Sequence, residues 1–361
     1  MSQTRWYSSR WFQVGLSLAV VGLIFGFLFP KLADYSAVWD TVREMTLLEI
    51  AGLLGVAAWN LFSYLPVLTA VLPGLRLREA AVVTLASTAI SNTLPGGAAL
   101  GVGVTVTMQR SWGFSAPSIA LGAVISGIWN NFVKLGLPIV ALGLLAATGK
   151  AGAALAVAAV VGLLVLFVCV LVFGLLLRSE RLAAKVGTIA QRALSGVVRL
   201  AHRPRPTDWS SRAMRFREDT IGLLRGRSMR ITATTLLSHL SLFLVLLLAL
   251  RHVGVSQEEV SWVKVLAAFA FVRLLSAVPV TPGGLGVVEL GLTAAIGSGL
   301  ADPAQNQVAA AVLVYRALTW FVPIPLGIVS WLFWRSNHSW KRSIDSRLEP
   351  AEGVAHDPVI G

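Results

Sequence analysis

The stretch AVPVTPGGLGVVEL, residues 277–290, lies inside a long apolar segment and contains a proline followed by two glycines. Proline removes a backbone donor and glycine loosens the chain, so both disfavour a continuous buried helix. Within hydrocarbon, such a break is tolerated only where protein or trapped water satisfies the exposed backbone groups. The break is therefore either a loop between two short spans or part of a binding site.

The composition of the whole chain predicts a helical membrane protein. Of its 361 residues, 56% are hydrophobic and only 13% are charged, whereas soluble domains have about 25% charged residues. Several apolar runs reach the roughly 20 residues that a spanning helix needs, and the first is interpreted as a retained helix rather than a cleaved signal peptide. The lone Cys169 excludes a disulfide framework and a cysteine-based metal site. The apolar runs are 12–30, 47–72, 80–109, 117–147, 152–177, 231–252, 261–300 and 307–334.

The distribution of charge predicts the topology. The net charge is +13, and residues 178–230 hold thirteen Lys/Arg against four Asp/Glu. Positively charged loops stay in the cytoplasm, so this segment and both termini are expected there. For all of these basic segments to lie on the cytoplasmic side, 80–109 and 261–300 must each return to the side of the membrane from which it starts. The prediction is an all-α polytopic fold with six full spans and two broken re-entrant hairpins, although 261–300 is also long enough for two crossings.

The two breaks lie at matching positions in the chain. A shift of 187 residues places Leu94-Pro95-Gly96-Gly97 on Thr281-Pro282-Gly283-Gly284, and Pro138 on Pro325. The predicted topology makes the two halves opposite in orientation, which is typical of transporters whose site lies near the bilayer midplane. The predicted domain is 11–334, with inverted repeats at 47–147 and 231–334 and a polar cytoplasmic tail at 335–361.

The basic segment 178–230 predicts an amphipathic helix on the inner membrane surface. Arg181, Lys185, Arg192 and Arg199 share one helical face, and apolar residues fill the opposite one. Such a helix lies along the headgroup region and attracts anionic lipids, so lipid is favoured over nucleic acid as the partner. A solvated linker that only enforces topology is the alternative. The apolar positions are Leu182, Val186, Ile189, Ala193, Val197 and Leu200.

Two motifs resemble those of the lysylphosphatidylglycerol synthase transmembrane, or flippase-like, family. They are LPGGAALGVGVTVTMQRSWG at 94–113 and PVTPGGLGVVELGLTAAIG at 279–297. In the second, Pro282, Gly283, Gly284, Gly286 and Glu289 stand in the family's order. The first has Ala98, Ala99 and Leu100 where the commoner version carries a glutamate and an arginine, so the resemblance assigns no headgroup chemistry to the first hairpin.

The resemblance implies a flippase-like membrane module. Members of the family include the membrane half of the multiple peptide resistance factor, which is associated with moving aminoacylated lipids between leaflets. In those proteins a soluble aminoacyl-transferase domain follows, and we expect this chain, which ends at Gly361, to lack it.

Ionisable residues at membrane depth are candidate site residues by default. Arg273 and Glu289 lie on the two arms of the second hairpin, and Arg316 lies in the last span. Arginine binds phosphate in a bidentate manner, and Glu289 either pairs with one arginine or holds a cationic lipid group. The alternative is an ion pair that holds the hairpin against the last helix. Lys134 occupies a position after the first hairpin similar to that of Arg316 after the second, and is the fourth candidate.

The predicted function is translocation of a phospholipid or a lipid-linked polar molecule across a bacterial cytoplasmic membrane. No H-E-x-x-H, G-x-S-x-G or P-loop motif is present, so we expect neither enzymatic activity nor a cofactor or metal. Two alternatives stay open: a non-transporting scaffold or lipid sensor with an enzyme partner or as a homo-oligomer, and a secondary transporter of a small solute. Pro95, Gly96, Gly97, Pro282, Gly283 and Gly284 are expected to form the hairpin tips whatever the substrate.

Overall fold

The fold was described from a computed structural model, which covers residue 27 and residues 35–94, 96–147, 153–200, 209–276 and 281–340. Every regular element in these ranges is helical, which confirms the all-α prediction. The α-helices are α1 (Tyr35–Arg43), α2 (Leu47–Ser63), α3 (Leu65–Val71), α4 (Leu77–Thr93), α5 (Gly97–Ser111), α6 (Ala116–Ala147), α7 (Ala153–Arg178), α8 (Glu180–Leu200), α9 (Trp209–His252), α10 (Trp262–Leu275), α11 (Val287–Gly297), α12 (Ala304–Arg316) and α13 (Pro323–Ser336).

Long apolar helical segments occupy the places predicted for membrane spans. Five of them in the described ranges are long and apolar enough to cross a bilayer, and they coincide with five of the six predicted full spans. The sixth, at 12–30, lies outside the described residues. The chain is therefore an integral membrane protein of several spans. The five segments are Leu47–Val71, Ala116–Ala147, Val157–Arg178, Trp209–His252 and Ala304–Ser336.

The first broken segment folds as two antiparallel helices, α4 and α5, which we call the first hairpin (77–111). Ser91 Oγ donates a hydrogen bond to the carbonyl of Gly97 at 3.3 Å. One turn further from the tip, a Cβ on Gly101 would lie 2.9 Å from the carbonyl oxygen of Ser87, so the arms run in opposite directions in close contact. Gly96 makes the reversal with a φ of +67°, and Pro95 lies outside the described residues.

The second broken segment also folds as two antiparallel helices, α10 and α11, the second hairpin (262–297). Gly291 packs against Val272 midway along the arms, and Lys264 Nζ donates to the carbonyl of Ser298 at 2.9 Å at the open end. The four arms of the two hairpins have 17, 15, 14 and 11 residues. These lengths correspond to roughly 16–26 Å, less than the hydrocarbon core of about 30 Å.

Each hairpin is held mainly by the other half of the chain. Helix α4 packs more extensively against α13 than against its own partner α5, and α10 packs more extensively against α6 than against α11. Gly327 of α13 lies so close to the carbonyl of Leu85 and to Ala89 that no larger residue fits there. The halves are also joined where α2 meets α9, through Asn60 Nδ2, which donates to Ser241 Oγ at 2.8 Å.

The basic segment forms α8 and the first half of α9, which pack as an antiparallel pair. Gly187 lies against the backbone of Trp209, and Arg217 pairs with Glu180 at 3.4 Å. The small residues Ala183 and Gly187 face α9, whereas the predicted apolar face, with Leu182, Val186 and Ile189, is exposed. Arg181 and Lys185 are exposed beside it.

Candidate functional site

Three interruptions of helical structure meet at one place inside the bundle. They are the first hairpin tip, the second hairpin tip and a π-helical segment, Ala317–Phe321, between α12 and α13. Asn92 Nδ2, one residue before the end of α4, donates to the carbonyl of Trp320 at 3.1 Å. A Cβ on Gly283 would meet the indole of Trp320 and would lie 2.9 Å from Asn92 Oδ1. Gly283, whose φ is +58°, therefore allows the three breaks to pack together, and we call this contact the tip junction.

The π-helical segment divides the last predicted span in two. The amide of Val322 donates to the carbonyl of Ala317 at 2.9 Å, five residues back, and Pro323 has no amide hydrogen with which to resume the ladder. Single π turns inside α-helices are frequent at functional sites. Trp320 in this segment contacts both hairpin tips, and the adjacent Thr319 lines the cavity described below.

Glu289 and Arg316 form a buried ion pair beside the tip junction. Arg316 Nε donates to Glu289 Oε1 at 2.8 Å, and the two side chains are 12% and 1% exposed. The second carboxylate oxygen accepts the amide of Gly286 at 2.7 Å, while the far end of Arg316 donates to the carbonyl of Gly283 at 3.1 Å. The guanidinium also lies over the ring of Trp320, 5.7 Å from its centroid. Both charges are thus committed to holding the second tip in place.

A cavity of about 590 Å³ lies between the first hairpin, α2, α3, α6 and α9. Its lining mixes apolar side chains with hydroxyls and amides, and Arg273 of the second hairpin is its charged residue. Polar lining residues include Asn60, Tyr64, Thr84, Gln109, Asn130 and Ser238. The volume falls within the roughly 300–1,000 Å³ of small-molecule sites.

Arg273 lines this cavity, and its Nε is buried and has no hydrogen-bond acceptor in the described chain. Two further buried atoms of lining residues, His239 Nε2 and Thr84 Oγ1, also lack partners there. The other ring nitrogen of His239 lies 3.0 Å from the carbonyl of Thr235, to which it donates, so Nε2 of the neutral ring is an unpaired acceptor. Unpaired buried polar atoms are costly in a finished fold, so this cluster suits a bound group.

Lys134 is placed differently from the other three candidates. It is half-buried on α6 and close enough to Arg273 and His239 for their charges to interact. It is not in the cavity wall, whereas Asn130, one turn earlier, is. The neighbouring Asn131 is exposed and donates to the carbonyl of Gly127 in its own helix at 3.0 Å.

The four predicted site residues thus separate into an ion pair, a cation that lines the cavity and a lysine outside the cavity wall. Glu289 and Arg316 neutralise each other at the tip junction, Arg273 lines the cavity, and Lys134 lies behind it. Thr84 and His239, which line the cavity, were not among the sequence candidates. Sequence reasoning also missed Asn92 and the π-helical segment, for which the closely spaced Pro323 and Pro325 were an available signal.

No group of three or more His, Cys, Asp or Glu side chains is placed to hold a metal ion in the described ranges.

The family model of the lysylphosphatidylglycerol synthase TM region matches residues 14–327. The chain belongs to this family. The match contains both hairpins, the tip junction and every residue of the cavity wall, so the site described above lies wholly within the family's membrane region. No curated protein matches the chain.

Proposed function

We propose that this member of the lysylphosphatidylglycerol synthase transmembrane family moves a lipid, or a lipid-linked polar molecule, between the leaflets of a bacterial cytoplasmic membrane. The observation that carries the proposal is Arg273, a cation in the wall of a polar cavity inside the helical bundle, whose buried Nε has no acceptor among the described residues. Burying an uncompensated charge costs several kcal/mol, and intramembrane charges mark substrate pathways. A phosphate-bearing headgroup would supply the missing partner.

The packing of the hairpins supports an inverted repeat. With the shift of 187 residues, α4 corresponds to α10, and α6 corresponds to residues 303–334, which contain α12, the π-helical segment and most of α13. A pseudo-two-fold axis between the halves would then relate the α4–α13 contact to the α10–α6 contact, and both are extensive. On this topology the hairpins are re-entrant from opposite faces and their tips meet near the midplane.

The position of the cavity supports entry from the cytoplasmic side. Its wall runs from Arg273 near the tip junction to Leu72 and Gln109, at the ends of α3 and α5. The exposed cations Arg76 and Arg110 lie at that same end of the bundle, which the positive-inside rule places in the cytoplasm. A headgroup would enter there and bind Arg273, while its acyl chains stay in the bilayer.

The tip junction would then serve as the closed outer gate. Rocking of one repeat against the other exposes a midplane site alternately to the two sides. Such a movement has to separate Asn92 from Trp320, whose hydrogen bond joins the first hairpin to the last span. The ion pair of Glu289 and Arg316 lies within the second half and would move as one piece with it.

The proposal is tested by reconstituting the purified protein in vesicles and following a fluorescent phospholipid from one leaflet to the other. Wild-type protein is expected to accelerate this exchange over protein-free vesicles, and Arg273→Ala is expected to abolish most of the acceleration. A double substitution of Arg181 and Lys185 by alanine, which removes surface charge of the same sign, should leave it largely intact. No acceleration by the wild type would refute the proposal.

A lipid-sensing scaffold is the second candidate, because α8 exposes an apolar face beside a basic one. That arrangement suits an interfacial helix on anionic lipid. The same variants separate the two functions. If the Arg181/Lys185 double variant loses its function in cells and Arg273→Ala keeps it, the scaffold function is favoured.

A further inference from the structure

The charge balance of the cavity specifies the class of headgroup. Its wall contains Arg273 and no aspartate, glutamate or second lysine or arginine from the described chain. Lys134 lies within electrostatic range of Arg273 and adds positive rather than negative potential around it.

The two buried carboxylates near the hairpins are engaged elsewhere and do not line the cavity. One carboxylate oxygen of Glu289 accepts a hydrogen bond from Arg316, and the other accepts one from the amide of Gly286. Glu79, equally buried, accepts the amide of Arg76 at 3.0 Å at the start of α4. Neither lines the cavity, so a cationic group placed beside Arg273 would meet no counter-charge.

The remaining polar wall consists of hydroxyls and amides. Thr84, Ser87, Thr88 and Thr105 come from the first hairpin, and Ser126 and Asn130 come from α6. Hydroxyl and amide groups both donate and accept hydrogen bonds, which matches a ligand that carries hydroxyl groups. Within this wall, Thr84 Oγ1 is buried and has no hydrogen-bond partner among the described residues.

We infer that the cavity selects phospholipids with a net negative headgroup, in which a phosphodiester carries an uncharged substituent bearing hydroxyl groups, such as glycerol or a sugar alcohol. The phosphodiester binds Arg273, and the substituent lies among the hydroxyls of the first hairpin. Headgroups that carry an ammonium, whether zwitterionic or aminoacylated, are disfavoured. This inference rests on the proposed function and names the substrate class of that same site.

The test is native mass spectrometry of the purified protein with an equimolar mixture of four lipids: phosphatidylglycerol, phosphatidylinositol, phosphatidylethanolamine and lysylphosphatidylglycerol. The first two are expected to bind at least about tenfold more tightly than the last two, because charge-assisted hydrogen bonds are the strong ones. Arg273→Gln should remove the preference. Arg335→Gln, which removes an exposed cation outside the cavity, should keep it. Soluble glycerol 3-phosphate at the same concentration should not compete, and effective competition would overturn the assignment to a lipid.

The outcomes separate this inference from the proposed function when the same four lipids are assayed for translocation in vesicles. Equal or tighter binding of lysylphosphatidylglycerol, together with its translocation, would overturn the inference and leave the function standing. Selective binding of the anionic lipids without translocation of any lipid would support the selectivity and refute transport. A preference retained in Arg273→Gln would also overturn the inference, since the headgroup would then lie elsewhere.

Discussion

The two hairpins share a plan but use their charges in opposite ways. In the second hairpin, Glu289 and Arg316 lock the tip with an ion pair and two hydrogen bonds to tip backbone. The first hairpin carries no charge at the corresponding position, where Val102 is exposed, and turns on Gly96 in open space. Its arms instead offer hydroxyls to the cavity. One hairpin therefore has its tip fixed by charge, and the other contributes polar side chains to the cavity wall.

The largest expected effect comes from breaking the ion pair of the second hairpin. Glu289→Ala leaves Arg316 buried without its counter-charge, which costs about 3–5 kcal/mol. We expect a marked fall in the thermal unfolding temperature in detergent, followed by circular dichroism. Val102→Ala, at the matching place in the first hairpin, is the control and should change the unfolding temperature little. Equal effects of the two variants would show that the hairpins are not held differently.

The next effect compares a glycine in each tip. Gly283→Ala imposes a left-handed conformation worth about 1–2 kcal/mol and overpacking against Trp320 worth about 1–3 kcal/mol. Gly96→Ala, with a similar φ and no atom within 4 Å of the added Cβ, has only the first cost. Urea or thermal unfolding of both variants should rank Gly283→Ala as clearly less stable. The reverse ranking would contradict the close packing at the tip junction.

A smaller effect is expected where the first hairpin meets the last span. Asn92→Ala removes the donor to the carbonyl of Trp320 and should cost about 1 kcal/mol. The adjacent Thr93 bonds the carbonyl of Ala89 in its own helix, so Thr93→Ala is a matched control with less effect. If Asn92 belongs to the outer gate, its variant should also alter the rate of lipid translocation, which Thr93→Ala should not do.

The smallest effect on stability is expected at Arg273. Because its Nε has no acceptor in the described chain to lose, and because burying an uncompensated charge is itself costly, Arg273→Gln should not lower the free energy of unfolding. A large loss of stability, measured beside Glu289→Ala, would mean that Arg273 is structural after all.

Much of the fold was predictable because it depends on local signals. Apolar length fixed the helical class, and Pro282, Gly283 and Gly284 located a tip that is observed as a break between α10 and α11. The second broken segment, which its length left open, folds as short antiparallel helices. Its two arms, α10 and α11, are together shorter than the apolar run 261–300, because Thr281 and residues 282–286 belong to neither helix.

The candidate site was predictable only in part because pairing depends on rotation and contact in three dimensions. Sequence placed Arg273, Glu289 and Arg316 in one region, but could not decide which arginine pairs with the glutamate. That choice depends on the direction in which α12 presents Arg316 just before the π-helical segment. Sequence could not place His239 or Thr84 in the cavity wall, because that wall is assembled from several helices and no local pattern reveals it.

The most direct test of this account is lipid translocation per folded protein for Arg273→Gln and for the double variant Glu289→Gln/Arg316→Gln, each measured with its unfolding temperature. The account predicts that Arg273→Gln unfolds like the wild type but translocates phosphatidylglycerol at least about tenfold more slowly. The double variant should lose stability and keep most of its activity per folded molecule. Wild-type translocation by a stably folded Arg273→Gln would contradict the central claim that the unpaired arginine binds the transported lipid.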